Sequence, residues 1–270
     1  VGYNLMYGVD EGGFLGSMSV WSADDMAVGG DAPDYSGGYA SGSDWYFQMV
    51  FCATTASIVS GTIAERLKIW PFLIFTLVLT GFIYPIVGSW EWGGGFLDAN
   101  FAFSDFAGST LVHSTGGWAA LAGAIVIGSR TGRFNDDGSV TSFPGSSIPL
   151  ATLGAFILWL GWFGFNGGSQ LALGSALDSV AISNIFINTN LAAAAGVMFA
   201  MITSQILFGK VDIVTALNGA IGGLVAITAE PLAPSIGAAV FIGGVGGILV
   251  ALSTPLLLKM KIDDVVGAIP

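Results

Sequence analysis

Seven apolar stretches, each about 20 residues and so long enough to cross the hydrocarbon core of a bilayer, can be read between Trp45 and Leu258. Their connections alternate in charge. One set carries Arg66 and Lys68, then Arg130 and Arg133, then Lys210, then Lys259 and Lys261, which is every basic residue of the chain. The other set carries no basic residue and most of the acids. Lys and Arg concentrate in cytoplasmic loops. Four basic clusters on alternate connections therefore imply a multi-pass protein of the cell (plasma or inner) membrane with its basic loops in the cytoplasm.

The spans are expected at 45–64, 69–88, 108–128, 148–168, 185–209, 213–229 and 236–258, within a single transmembrane domain over 1–270. Helices are favoured over strands because the runs are long and continuous, whereas barrel strands alternate over about 10 residues. An all-α, polytopic transmembrane helix bundle follows. Its 41 glycines suit helices that approach closely in lipid through small residues three or four apart. Gly117, Ala120 and Gly123 have that spacing, as do Gly219, Gly222 and Gly223.

Only 9% of residues are charged, against roughly 25% in soluble domains. Of the acids, Asp10, Glu11, Asp24, Asp25, Asp31, Asp34 and Asp44 precede the first full span. They form either a solvated loop or an acidic outer mouth that raises local cation concentration. The lack of a basic patch argues against nucleic acid as a partner. The single Cys52 lies inside an apolar run, which excludes a disulfide framework, and no cofactor or metal site is indicated. Residues 1–8 read as the tail of a span and Val265–Pro270 as the start of another, so the chain reads as an internal fragment.

Polar residues within the apolar runs carry the functional signal. His113, the only histidine, falls in the middle portion of the third span, where ionisable groups tend to face a bundle interior or a water-filled path. It is either an imidazole bonded to a neighbouring helix or part of a polar pore. A regular helix would put it on one face with Phe106, Ser109, Thr110, Gly116, Gly117 and Ala120. Asp105 precedes that span and can cap it or touch a permeant cation. Eight helical residues would place it roughly 12 Å from His113, too far for a catalytic dyad. On the fourth span Trp162, Phe165 and Ser169 share a face, with Asn166 beside it. Phe47 and Phe51 lie four apart on the first span, and Trp92 follows the second. Interface belts also hold outward Trp residues, but aromatic rings with one hydroxyl can bind a small cation.

In combination, order and spacing, several runs resemble the ammonium transporter family (Amt/Mep/Rh). They are Phe47-Gln48 with Phe51; Gly61-Thr62-Ile63-Ala64-Glu65-Arg66; Trp92-Gly93-Gly94-Gly95; Asp105-Phe106-Ala107-Gly108 leading to His113; Gly161-Trp162-Phe163-Gly164-Phe165-Asn166; and Asp263-Asp264 with Val265-Val266-Gly267. The resemblance covers essentially the whole chain. It implies part of an eleven-helix fold of two inverted halves, a homotrimer with one pore per subunit, and a cytoplasmic regulatory protein as a partner. Ammonium, or methylammonium as its analogue, would be recruited by Trp92, Phe51 and Ser169 and lose its proton. It would then pass Phe51 and Phe165, stacked as a gate, into a pore lined by His113, Trp162 and Phe47. Asp105 would hold the recruitment region in shape. A second pore histidine is expected two residues past Pro270, and these 270 residues alone are expected not to transport.

The same resemblance admits an ammonium sensor built on the pore fold, or a channel for a neutral gas. A retinal pigment does not fit, since no Lys lies inside a span to form a Schiff base. An intramembrane enzyme does not fit either: neither Gly-x-Ser-x-Gly nor His-Glu-x-x-His occurs.

Overall fold

A computed structural model describes residues 1–23, 25 and 38–270; Asp24, Asp31 and Asp34 of the acidic segment lie outside the described residues. Ten α-helices are described: α1 (Gly2–Tyr7), α2 (Ser41–Thr62), α3 (Ile69–Val78), α4 (Tyr84–Ser89), α5 (Phe96–Phe101), α6 (Thr115–Ile127), α7 (Ile148–Gly168), α8 (Ala176–Phe208), α9 (Ile213–Thr228) and α10 (Ile236–Lys259). A π-helical turn at Leu79–Ile83 joins α3 to α4, and another at Ser109–Ser114 leads into α6. Among the described residues no named strand occurs; one isolated bridge pairs Phe134 with Val140.

Five continuous helical segments are long and apolar enough to cross a membrane: Ile69–Ser89, Ser109–Ile127, Ile148–Gly168, Ala176–Phe208 and Ile236–Lys259. The other two apolar stretches are helical as well. The first, α2, has 22 residues but dilutes its apolar character with Asp44, Gln48 and several Ser and Thr. The 16 residues of α9 extend only about 24 Å, short of the roughly 30 Å core.

The largest difference from the sequence expectation is in α8, which begins at Ala176 rather than near 185. Asp178, Ser183 and Asn184 look like loop residues in the sequence. However, Ser175 and Asp178 form a capping box: Ser175 Oγ accepts the Asp178 N–H (3.1 Å) and Asp178 Oδ2 accepts the Ser175 N–H (3.0 Å). This satisfies the free N–H groups of a helix start and draws the polar residues into the first turns.

Helices α8, α9 and α10 cross on small residues. A Cβ added to Gly196 would overlap the Gly219 carbonyl, and one added to Gly247 would overlap the Gly196 carbonyl. The backbones therefore touch directly, as close packing in lipid requires. A second core joins α2 to α6 through Ala56, Val59, Ile63 and Ala120, closed by Leu79.

At the end of the bundle that carries Arg66, Arg130 and Arg133, the basic residues converge on the fully buried carboxylate of Asp263. Arg130 donates to it through Nε (2.9 Å), Nη2 (3.0 Å) and its backbone N–H (2.9 Å). Arg133 Nε lies 3.3 Å away. The Arg66 guanidinium donates to the carbonyls of Thr62, Gly128 and Asp263. Burial acts to raise the Asp263 pKa, but the Arg130 hydrogen bonds and the Arg130 and Arg66 charges outweigh it and hold the group below its ordinary value.

A depressed carboxylate pKa stabilises the fold above the unfolded value, and that contribution is lost as pH falls through the folded one. The contribution is thus complete at neutral pH and fades only below about pH 4. Asp263→Ala takes the shared carboxylate from three guanidinium groups, leaving, among the described residues, only Arg130 with another acidic partner, Glu65, and is expected to cost about 3–5 kcal/mol at neutral pH. Thermal unfolding in detergent measures it. An unchanged midpoint would mean that the cluster contributes no net stability.

Candidate functional site

The site is built where α2, α7, the Trp92 loop and the π-helical turn before α6 meet. Phe51 on α2 is buried (1% exposed) and packs with Met6, Tyr84 and Val112. Its ring touches three others. Phe165 on α7 lies 4.3 Å away between centroids at 75°, Trp92 lies 5.7 Å away at 66°, and Phe47, one helical turn back, lies 4.7 Å away at 90°. Phe51 and Phe165, the pair expected to stack as a gate, are in contact edge-to-face. That geometry points the positive edge of one ring at the negative face of the other. Phe47 also packs on Gly168 of α7, where a Cβ would come within 2.9 Å of its ring.

Beyond this aromatic cluster lies His113. Its ring stacks on Trp162 (5.1 Å, 23°) and sits 5.4 Å from Phe165. Trp162 is fixed from behind: its indole N–H donates to Thr228 Oγ1 of α9 (2.7 Å), and Asn166 and Thr189 continue the same buried polar network (3.0–3.1 Å). These polar atoms satisfy one another inside the bundle, so the Trp162 face that meets His113 is apolar. Thr228 and Thr189 carry no motif. The only sequence signal of Thr228 is a hydroxyl within an otherwise apolar run, and Thr189 sits between Asn188 and Asn190 in a short polar interruption of α8.

His113 does not sit in mid-helix as expected. Its helical segment begins at Ser109, so the ring falls within the opening π turn, and Phe106 lies outside the helix altogether. The backbone N–H of His113 donates to the Gly108 carbonyl (3.2 Å), five residues back, and Nδ1 meets the same oxygen at 3.0 Å. A carbonyl only accepts, so in the neutral ring Nδ1 carries the hydrogen and Nε2 keeps its lone pair. Gly108 has φ +93°, and a Cβ there would meet Trp92 and Val112. Only glycine takes this position without strain.

Asp105 produces that turn. It is 1% exposed. Oδ1 accepts the N–H groups of Gly108 (3.0 Å) and Ser109 (2.9 Å), and Oδ2 accepts those of Thr110 (2.7 Å) and Leu111 (2.8 Å). Four N–H groups at a helix start have no partner within the helix, and here one carboxylate takes them all. Through Gly108 the capping site and His113 belong to one hydrogen-bonded unit, rather than lying eight helical residues apart. Phe106 and Ala107 donate to the carbonyls of Ala229 and Thr228, which pins the unit to the end of α9 (2.8 and 3.1 Å).

Trp92 Nε1 donates to the Asp105 carbonyl (2.8 Å), which sets the indole beside Phe51. Ser169, half-buried at the end of α7, donates its hydroxyl hydrogen to the Phe165 carbonyl (2.8 Å). Its oxygen lone pairs stay available to an outside donor. The rings of Trp92, Phe51, Phe165 and His113 thus form one succession of contacts, and Ser169 is joined to it through the Phe165 carbonyl. Among the described residues, no group of three or more His, Cys, Asp or Glu could hold a metal ion.

The chain and its fold have known counterparts. The Ammonium Transporter Family model matches residues 1–270. Ammonium transporter Amt2 of Archaeoglobus fulgidus is 41% identical over 279 residues, covering all of this chain and 57% of that protein. A solved structure described as Sensor Amt Protein superposes with a TM-score of 0.87 at 37% identity, covering all of this chain and 65% of that one. Mep2 of Saccharomyces cerevisiae superposes with a TM-score of 0.84 at 27% identity, covering 99% of this chain and 58% of that one. The chain spans about 57–65% of the length of these proteins. A multi-pass helical membrane protein matched over its whole length by the family model, and by relatives above a third identical, this chain belongs to the ammonium transporter family.

Proposed function

We propose that this chain forms the recruitment site, gate and upper pore of an ammonium-conducting protein of the plasma or inner membrane. The observation that carries the reading is the succession Trp92, Phe51, Phe165 and His113, each ring in contact with the next. Ammonium would be held by the faces of Trp92 and Phe51 and donate a hydrogen bond to Ser169. Cation–π attraction contributes about 0.5–2 kcal/mol, rising as the ion loses water. Phe51 and Phe165 then admit only a species stripped of its hydration shell. The Nε2 lone pair of His113 can take a proton or accept an N–H, with Trp162 and Phe47 completing the lining and Asp105 holding the frame. Potassium can neither donate to Ser169 nor give up a proton, so chemistry discriminates where size does not.

All seven apolar helices would cross the bilayer, within an eleven-helix, two-half architecture assembled as a homotrimer. The basic loops would face the cytoplasm, where a regulatory protein could dock. Uptake of labelled methylammonium by the intact transporter, in cells lacking other uptake systems, tests the reading. A sensor is the second reading, favoured by the 0.87 TM-score to the Sensor Amt Protein. Ammonium-dependent signalling without uptake would select it.

Trp92→Leu removes both the π face and the indole donor to Asp105. It is expected to raise the half-saturating methylammonium concentration about tenfold, the sum of a cation–π contact and one hydrogen bond. Unchanged affinity and flux would leave Trp92 an interfacial belt residue only.

A further inference from the structure

Glu91 precedes Trp92 in the chain and has no part in the proposed conduction path, yet both side chains bond the backbone of Asp105. Glu91 Oε1 accepts the Asp105 N–H (3.2 Å), while Trp92 Nε1 donates to the Asp105 carbonyl (2.8 Å). Consecutive side chains thus hold the two ends of residue 105, whose carboxylate caps the turn bearing His113. The other Glu91 oxygen, Oε2, is buried without a hydrogen-bond partner. A carboxylate oxygen so placed costs free energy when charged.

The ionisable groups that bear on Glu91 are themselves acids: Asp105 on the loop after α5 and Asp98 on α5. The basic residues lie in the alternate connections, at the opposite ends of the spans. Burial pushes the Glu91 carboxyl up to about 8. The Asp105 N–H opposes the rise, and the Asp105 and Asp98 charges add to it.

We propose that Glu91 is a positioning residue of the recruitment site, which clamps the Asp105 peptide against Trp92 and adds a negative charge there when the outer side becomes alkaline. The inference rests on the ammonium reading above and adds to it a titrating group. Its sign follows from the acid. Below its folded pKa the group is neutral, and Oε1 still accepts the Asp105 N–H while the other oxygen carries the proton. Above it, the charge attracts a cation to the neighbouring indole.

The test uses the intact transporter with Glu91→Gln and Glu91→Ala, and initial rates of methylammonium uptake from about pH 6.5 to about pH 9. Methylammonium stays protonated over this range. In the wild type, half-saturation should improve about fivefold as external pH rises through about 8, with maximal rate unchanged. Glu91→Gln keeps the acceptor but cannot titrate. It should match the wild type at neutral pH and lose the alkaline improvement. Glu91→Ala loses the acceptor and should bind roughly threefold to tenfold more weakly at every pH.

An alkaline improvement that survives in Glu91→Gln, or a Glu91→Ala profile identical to the wild type, overturns the proposal. If the wild type moves no methylammonium, the conduction reading fails instead. The same three proteins are then compared by methylammonium binding in detergent, where the same pattern is required.

Discussion

Replacing His113 with alanine is expected to abolish selective ammonium conduction in the intact transporter while leaving insertion and folding largely in place. Neither half of that expectation is automatic for a buried residue. The imidazole's hydrogen bond runs to Gly108, within its own turn, so its loss does not unpair a neighbouring helix. The turn itself is held by Asp105 and by the backbone bond from His113 N to Gly108. What disappears is the imidazole behind Phe165, whose Nε2 can accept a proton or an N–H. A positioned acid–base group accounts for roughly 10²–10⁴-fold in rate, so uptake should fall by about 10²-fold or more. The cavity left between Trp162 and Phe165 would be dry or loosely wetted, and any residual flux should lose its preference over potassium. Uptake measured against competing potassium, with surface expression as the control, decides the outcome. Unchanged selectivity would remove His113 from the proton path.

The sequence exposes the apolar runs because lipid leaves the backbone few alternatives to helix. It also exposes the residues around the aromatic cluster, because Phe51, Phe165, Trp162 and Ser169 lie at helical spacing on two spans. Regular periodicity fails where the helix itself is irregular. The turn at Ser109–Ser114 is π-helical, and nothing in Ser-Thr-Leu-Val-His-Ser announces the extra residue per turn. Its cause is three-dimensional: Asp105 gathers four N–H groups, and Gly108 turns through a positive φ. A 100° wheel therefore put Phe106 on the same face as His113, where it does not belong. The α8 start was hidden for the opposite reason. Its capping box is local and readable, Ser175 to Asp178, but polar residues just inside it resemble a loop. Thr228 and Asn166, which fix Trp162, meet across 62 positions of sequence, a pairing that no local pattern contains. Glu91 escaped notice because a carboxylate at a membrane surface ordinarily faces water.

Asp105→Ala is expected to have the larger effect on the folded state, and its variants separate two roles for the same carboxylate. Alanine leaves four N–H groups without acceptors, at the mouth of a bundle where Gly108 and Leu111 are buried from water. Each unpaired buried donor costs about 1–3 kcal/mol. Several together are a large share of the 5–15 kcal/mol that holds a typical domain folded. Protein yield and thermal midpoint in detergent should both drop, and uptake should vanish with them. Asparagine retains one carbonyl oxygen but aims an NH2 at N–H groups that need acceptors. At most half the cap survives, and the Gly108 carbonyl that orients His113 loses its anchor. Glutamate preserves the charge and both oxygens but adds a methylene, which moves the carboxylate away from N–H groups now 2.7–3.0 Å distant. If Asp105 works as a cap, Asp105→Glu should be about as inactive as Asp105→Asn, since geometry is lost in both. If it works by attracting the cation, Asp105→Glu should retain methylammonium affinity while Asp105→Asn loses it. The saturated carboxylate favours the first result. Retained affinity in Asp105→Glu with a lowered melting temperature would instead assign Asp105 both tasks.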